Sequence, residues 1–391
     1  MKLTGDNMFV VNDTQELRKK IDDSVQILKS SKSIAEKIAV SNYIENINDA
    51  ITCVEEVDLE LSEETIYGSL KDRRKYFKKL NIYQKQLLEN FILNKMFHNS
   101  FMGEVLSGVE ENFLDVEEKD LSPTTNLSEE DYHDIFYQFM KSINLENLFD
   151  KYVKEKKIYS TSLEYSPSNL GFTIYNPVKR DSDIFIFEFE YNIHSMFTLA
   201  HEFGHVYDLS HYDEDILKFN NSSYRSFFGE TISKTFERLF LDYMISNNIL
   251  IDESLDKLFE MNLINHDYVL AAYMLSLLPD KYIENEAYTK LRKGKFIKLI
   301  KNEFISEEAV REFVFNSVGF NINEDFTYAY GDILSMFIKN EIDENGFSND
   351  LLKEFFSKRC EVFSEEFFRE WGMGPENYVK LHDKQMQYLK K

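Results

Sequence analysis

His201 and His205 are four residues apart, and Glu202 directly follows the first of them. On an α-helix this spacing puts both imidazoles on one face, about one turn apart, so a single Zn²⁺ can take both. Glu202 then lies where its carboxylate can reach a water on that metal without being a ligand. Zinc lowers the pKa of such a water from about 15.7 to about 7, and the carboxylate can take its proton as the water attacks a carbonyl. Two histidines at this spacing also occur on ordinary surface helices. Here the preceding Met196, Phe197, Leu199 and Ala200 are apolar, as in a buried helix. Gly204 adds to this, because a mid-helix glycine costs about 1 kcal/mol against Ala and so points to a close approach at that position. The candidate site is therefore His201 and His205 as metal ligands with Glu202 as general base.

The third ligand has two candidates. His211 comes six residues after His205, the spacing of the metzincin pattern. In that pattern a glycine lets the chain leave the helix sharply, and here the position is Asp208. Asp tolerates a left-handed conformation less well than Gly. The other candidate is Glu230, at the head of a stretch whose Ile232, Phe236, Leu239, Phe240 and Tyr243 form an apolar helical stripe. Glu230 and Glu237 are seven apart, two turns along one face. One can bind zinc while the other orients a ligand histidine. On that ground Glu230 is preferred, with one zinc per chain.

His201-Glu202-Phe203-Gly204-His205, followed by Glu230 and Glu237, resembles the M3 oligopeptidases, which include thimet oligopeptidase and the bacterial oligoendopeptidase F group. The lead-in Tyr191 to Ala200 is similar to that family's approach to its zinc helix. The segment Phe326-Thr327-Tyr328-Ala329-Tyr330-Gly331-Asp332 resembles the family's tyrosine- and glycine-bearing segment that faces the metal, and Trp371 to Pro375 is a fainter echo. The resemblance spans about residues 160–385. It implies Glu230 as third ligand, and Tyr328 or Tyr330 as hydrogen-bond donor to the oxyanion. It departs at Asp208, where the family often has a histidine, and at Thr231 to Lys234. The chain is also shorter than typical members. The expectation is a zinc-dependent oligoendopeptidase acting on short or unstructured peptides. The rivals are a metzincin-like endopeptidase using His211, and a catalytically silent peptide-binding protein of the same fold.

These residues need rigid helices to hold them, and the composition supplies them. Only 5 Pro and 13 Gly occur in 391 residues, beside 34 Phe and 23 Tyr. Few breakers and long amphipathic stretches predict a mainly α protein, and the resemblance implies a catalytic domain of gluzincin type. Helical patterns run over Thr14–Ser31 and about 34–54, 62–80 and 81–100. Residues 103–127, with Gly103, Gly108 and Pro123, read as a linker between an N-terminal helical domain, 1–126, and a catalytic domain, 127–391. Leu127-Ser128-Glu129-Glu130 starts a helix running to about Lys156. Between about 158 and 190 the period changes to two: Ile158 to Ser162, Gly171 to Tyr175 and Asp183 to Glu190 are β-prone. A small antiparallel sheet just before the zinc helix is expected, able either to support the helix or to hold a peptide main chain along its edge. Beyond residue 213 the chain reads as helical again.

A net charge of −24 argues against a nucleic-acid partner. Cys53 and Cys360 lack metal spacing and read as reduced and structural. The start, Met1 to Asn7, lacks the apolar run of a signal peptide. The longest apolar stretch, Tyr268–Leu278, is too short to cross a membrane and reads as a buried helix. A cytoplasmic protein with a peptide substrate and no membrane partner is expected.

Overall fold

A computed structural model of the chain describes residues 14–30, 40–41, 43–44, 46–48, 51, 94–112, 121–160, 170–176, 181–211, 229–277, 322–347, 350–358 and 365–390. The helical pattern expected over 62–80, the 81–93 part of that expected over 81–100, and both cysteines lie outside the described residues. The elements are α1 (Thr14–Ser30), α2 (94–112), α3 (Glu129–Ser142), α4 (Glu146–Lys154), β1 (Ile158–Ser160), β2 (Gly171–Asn176) and β3 (Asp181–Ile186). They continue with α5 (Ile193–Ser210), α6 (Thr231–Ser246), α7 (Ile251–Ser276), α8 (Ile322–Asn345), α9 (Asp350–Lys358), α10 (Glu365–Glu370) and α11 (Pro375–Met386). The protein is mainly helical with one small sheet, as the composition predicts.

The sheet is mixed rather than antiparallel. Its order is β1-β3-β2, with β2 antiparallel to β3 and β1 parallel to it. The three strands alternate in direction along the chain, so a sheet that places the first beside the third pairs two strands of like direction. Side chains alternate across it, as the strand period requires. Ile158, Ile184 and Ile186 face the main core, which contains α5, while Tyr159, Ile174, Phe185 and Phe187 join Leu17, Ile21 and Leu28 of α1. The sheet is thus covered on both faces.

Helix α6 is the central strut. It packs against α5 on one side and α8 on another, and α8 in turn meets α7 and α11. Phe197 of α5 and Phe136 and Phe139 of α3 converge on Phe240 of α6. Each such ring fully buried contributes about 1.5–3 kcal/mol against exposure, so the register of α5 on α6 is strongly held.

Two boundaries differ from expectation. Residues 103–112 are helical, part of α2, instead of a linker. Their glycines serve packing: a Cβ at Gly103 would lie 3.1 Å from Tyr273, and one at Gly108 would lie 2.4 Å from Val379. The helix expected to reach Lys156 breaks into α3 and α4 at Asn144, which takes a left-handed φ of 59°. Residues from both sides of position 126 also share each hydrophobic cluster. Among the described residues no helix is long and apolar enough to cross a membrane.

Candidate metal centre

Asn192 caps α5: its side chain accepts from the Ser195 backbone N–H at 3.1 Å, and Ser195 Oγ accepts from the Glu190 N–H, also at 3.1 Å. The first bond satisfies a helix donor that would otherwise lack a partner, and the second ties the chain before the helix to its first turn. Together they set where the helix begins, and hence the rotation of His201 and His205 two and three turns later. The glycine signal is resolved here. A Cβ on Gly204 would lie 2.4 Å from the Ser233 Cα, so its absence lets α5 and α6 touch backbone to backbone.

Glu230 occupies the N-cap position of α6. Ser233 Oγ donates to its carbonyl at 3.0 Å and to its carboxylate at 3.2 Å. Helix α8 closes the other side, where a Cβ on Gly331 would fall 2.6 Å from the Glu230 Cβ. A side chain at Gly204 would force α5 and α6 apart, and one at Gly331 would displace Glu230.

The result is a cluster of His201, His205 and Glu230 that could hold a metal ion. The two Nε2 atoms are 3.1 Å apart, and Glu230 Oε2 lies 3.2 Å from His201 Nε2 and 3.7 Å from His205 Nε2. Tetrahedral zinc with bonds of about 2.0–2.1 Å puts its ligands about 3.3 Å apart, so these separations suit such an ion. Two imidazoles and one carboxylate also fit zinc better than calcium or magnesium, which favour all-oxygen sets. The three side chains remain 18%, 22% and 15% exposed, which leaves one flank open.

Glu237, two turns beyond Glu230, reaches the other nitrogen of the same ring. Its Oε1 is 2.5 Å from His201 Nδ1. With the Nδ1 proton given to Glu237, the Nε2 lone pair points at Glu230 and His205, the tautomer a ligand needs. Lys234 Nζ stands 3.6 Å from Glu237 Oε2. Burial pushes the Glu237 carboxyl up, but Lys234 and His201 outweigh it and hold it at about 2. Glu230 is likewise lowered to about 2, with His205 and His201 outweighing burial. Burial opposes a proton on His201, and Glu230 and Glu237 overcome it and raise that pKa. The two carboxylates thus favour positive charge on or beside the His201 ring that lies between them.

Glu202 is 2% exposed and is not among the cluster's ligand residues. Burial pushes its carboxyl up to about 7, against the lowering effects of His201 and of the Thr173 hydrogen bond. Thr173, on β2, donates to Glu202 Oε2 at 2.6 Å.

The other candidates separate clearly. His211 is the C-cap of α5, its ring stacked 4.2 Å from that of Phe356 and its Nδ1 2.8 Å from the Tyr207 carbonyl. It is not part of the cluster. Tyr330 is fully buried in the core among Phe101, Phe326 and Phe368, its hydroxyl 2.6 Å from His98 Nδ1. Tyr328, two residues earlier, is half-buried. It stacks on Tyr268 at 4.7 Å, with Lys234 Nζ 5.8 Å from its ring. Tyr328 thus has a described contact with Lys234, whose backbone N–H donates to the Glu230 carbonyl at 2.9 Å. Thr173, Ser233 and Lys234 carry no pattern in the sequence that marks them. Their roles follow from the strand and helix contacts alone. Comparison of the chain with protein-family models, curated proteins and solved structures finds no match to any of them.

Proposed function

We propose that the chain is a zinc-dependent peptidase of gluzincin type, similar to the M3 oligopeptidases, that hydrolyses peptide bonds in short or unstructured peptides. The observation that carries this reading is the convergence of His201, His205 and Glu230 with a buried carboxylate, Glu202, beside them. A zinc held by those three residues supplies a Lewis acid that polarises a carbonyl and acidifies water. Glu202 is the general base: it takes a proton on its carboxylate and returns it to the leaving amine. A base is most effective when its pKa lies near the working pH, and burial brings Glu202 there. Glu237 keeps His201 in its ligand tautomer, and Lys234 keeps Glu237 ionised. Tyr328 is the phenol this reading assigns to the developing oxyanion, where such donors contribute about 2.7–4 kcal/mol. Strand β2 is an edge of the sheet among the described residues, which supports pairing of a peptide main chain along it.

The test is elemental analysis joined to cleavage of an unstructured peptide library. About one zinc per chain and chelator-sensitive cleavage are expected. A chain that takes up no zinc, or binds it without cleaving any peptide, overturns the proposal.

A further inference from the structure

Strand β2 does more than lie beside the helix. Its residues alternate between faces, so Gly171 and Thr173 share the face turned toward α5, while Phe172 and Ile174 pack toward α1. The two residues on the helix side meet the two oxygens of one carboxylate. Thr173 Oγ1 donates to Glu202 Oε2 at 2.6 Å and lies 3.2 Å from the Glu202 backbone carbonyl. A Cβ at Gly171 would fall 3.0 Å from Glu202 Oε1, so the glycine leaves room where any side chain would crowd that oxygen.

A glutamate has three rotatable side-chain bonds, and nothing on α5 itself restrains this one. A hydroxyl has one proton to give. When Thr173 spends it on Oε2, that oxygen is tied to the strand, and Oε1, beside Gly171, is left without a donor from Thr173. The pairing of Thr173 with Ile184 in the ladder fixes the hydroxyl's height above the helix. The sheet thereby sets both the depth and the roll of the carboxylate.

We propose that Thr173 is the positioning residue for Glu202, holding Oε2 so that Oε1 is the oxygen that accepts and returns the proton, with Gly171 keeping that oxygen's space clear. This rests on the peptidase reading above. Base geometry off by about 1 Å costs on the order of 10²-fold in rate, so the effect belongs in kcat. Zinc affinity should not change, because Thr173 touches none of the three ligand residues in the hydrogen bonds described.

The experiment uses the full-length zinc-loaded chain and one unstructured peptide. Thr173→Val has nearly the same shape without the donor, and Thr173→Ser keeps the donor. Thr173→Val should lower kcat about 10–100-fold, with KM and the zinc dissociation constant, measured by chelator competition, each within about threefold of wild type. Thr173→Ser should recover most of the rate. In a Glu202→Gln background, Thr173→Val should cost nothing further, because a residue acting through Glu202 has nothing left to act on. Wild-type kcat in Thr173→Val overturns the proposal. So does a loss that Ser fails to restore, a loss that accompanies lost zinc, or one that adds fully to Glu202→Gln. If the wild-type chain binds zinc and cleaves nothing, the peptidase reading falls and this inference with it. If wild type and Thr173→Val cleave equally, only this inference falls.

Discussion

Glu237 and Arg238 are neighbours on α6, yet they enter polar clusters of opposite character. Arg238 is fully buried, and each arm of its guanidinium has an acceptor: Ser335 Oγ at 2.9 Å, Gln385 Oε1 at 2.6 Å and the carboxylate of Asp332. Asp332 also accepts from Asn265 at 2.5 Å and Tyr378 at 2.8 Å. This closed set of donors and acceptors ties α6 to α7, α8 and α11. On the other side, Glu237 accepts from His201, whose far nitrogen points with His205 and Glu230 into a partly exposed space. That cluster gathers two imidazole nitrogens and one carboxylate oxygen within 3.7 Å of one another. Around Arg238 the three guanidinium nitrogens and both Asp332 oxygens have partners, as buried polar groups ordinarily do, and among the described residues only the Asn265 Oδ1 of this set has none. The open cluster differs in being partly exposed and in bringing together a set of side chains that could hold a metal ion.

The comparison breaks most decisively at the open cluster. Glu202→Gln keeps size and hydrogen bonding but cannot take a proton, so turnover should fall about 10²–10⁴-fold while the zinc content stays near one per chain. His201→Ala or His205→Ala should release the metal instead. Equal turnover in Glu202→Gln and wild type would remove the general-base role. In pH profiles, kcat/KM should rise as Glu202 loses its proton. Burial puts that carboxyl at about 7 and a nearby dication lowers it, so the acid limb should fall at or below about pH 7.

The closed cluster should respond in stability. Arg238→Met leaves Asp332 buried without its cation, a loss of about 3–5 kcal/mol in breaking such a pair, read by urea unfolding. Replacing both partners, Arg238→Met with Asp332→Leu, should recover much of it. At saturating zinc the single variant should still bind one ion. If Arg238→Met lost zinc without losing stability, the two clusters would be one functional unit and the contrast between them would fail.

Glu237→Ala tests the boundary between them. It should weaken zinc binding about 10–100-fold, since the His201 ring then loses the acceptor that selects its tautomer. Unfolding of the metal-free chain should change far less than for Arg238→Met. A reversed pattern would place Glu237 with the structural half.

Much of the open cluster was legible in the sequence because its information is local. Residues four apart share a helix face whatever the tertiary fold, and Glu230 and Glu237 are two turns apart by the same rule. The three strands were legible from their alternation, whereas the parallel pairing of β1 with β3 was not, because strand order is decided by the chain's path and not by period. Gly103 and Gly108 read as breakers in a linker, but glycine has the same appearance where a neighbouring helix needs the space. The sequence does not choose between Tyr328 and Tyr330, because the choice needs the rotation of α8 about its axis. Thr173 had no signature at all: its role depends on a strand and a helix meeting 29 residues apart in the chain. The closed cluster was equally hidden, since its partners come from four helices.

Acid separates the two clusters by the smallest expected margin. His98 belongs to the closed side of α8, bonded to Tyr330 and edged by Phe326. Burial lowers its pKa to about 3, against about 6.5 in an unfolded chain. Because the folded value is depressed, the unfolded chain binds the extra proton as pH falls. The stability this ring contributes is present above about 6.5 and is lost progressively toward 3. At pH 5.5 the loss should be about 1.4 kcal/mol relative to pH 7.5. His382, lowered to about 4 mainly by burial, should behave in the same way. His201 differs: its carboxylate neighbours raise its pKa, so acid protonates it in place, and the consequence is competition with the metal. Urea unfolding of the metal-free chain at pH 7.5 and 5.5, compared between wild type and His98→Phe, isolates the His98 contribution, because His201 and Glu202 have shifted values in both, and zinc competition at the same two pH values reads the open cluster. His98→Phe should reduce the pH-linked loss of stability by about 1.4 kcal/mol and leave the weakening of zinc binding by acid unchanged. If His98→Phe left the stability difference between the two pH values as large as in wild type, the ring would be taking its proton within the folded chain. His98 would then belong with the open cluster.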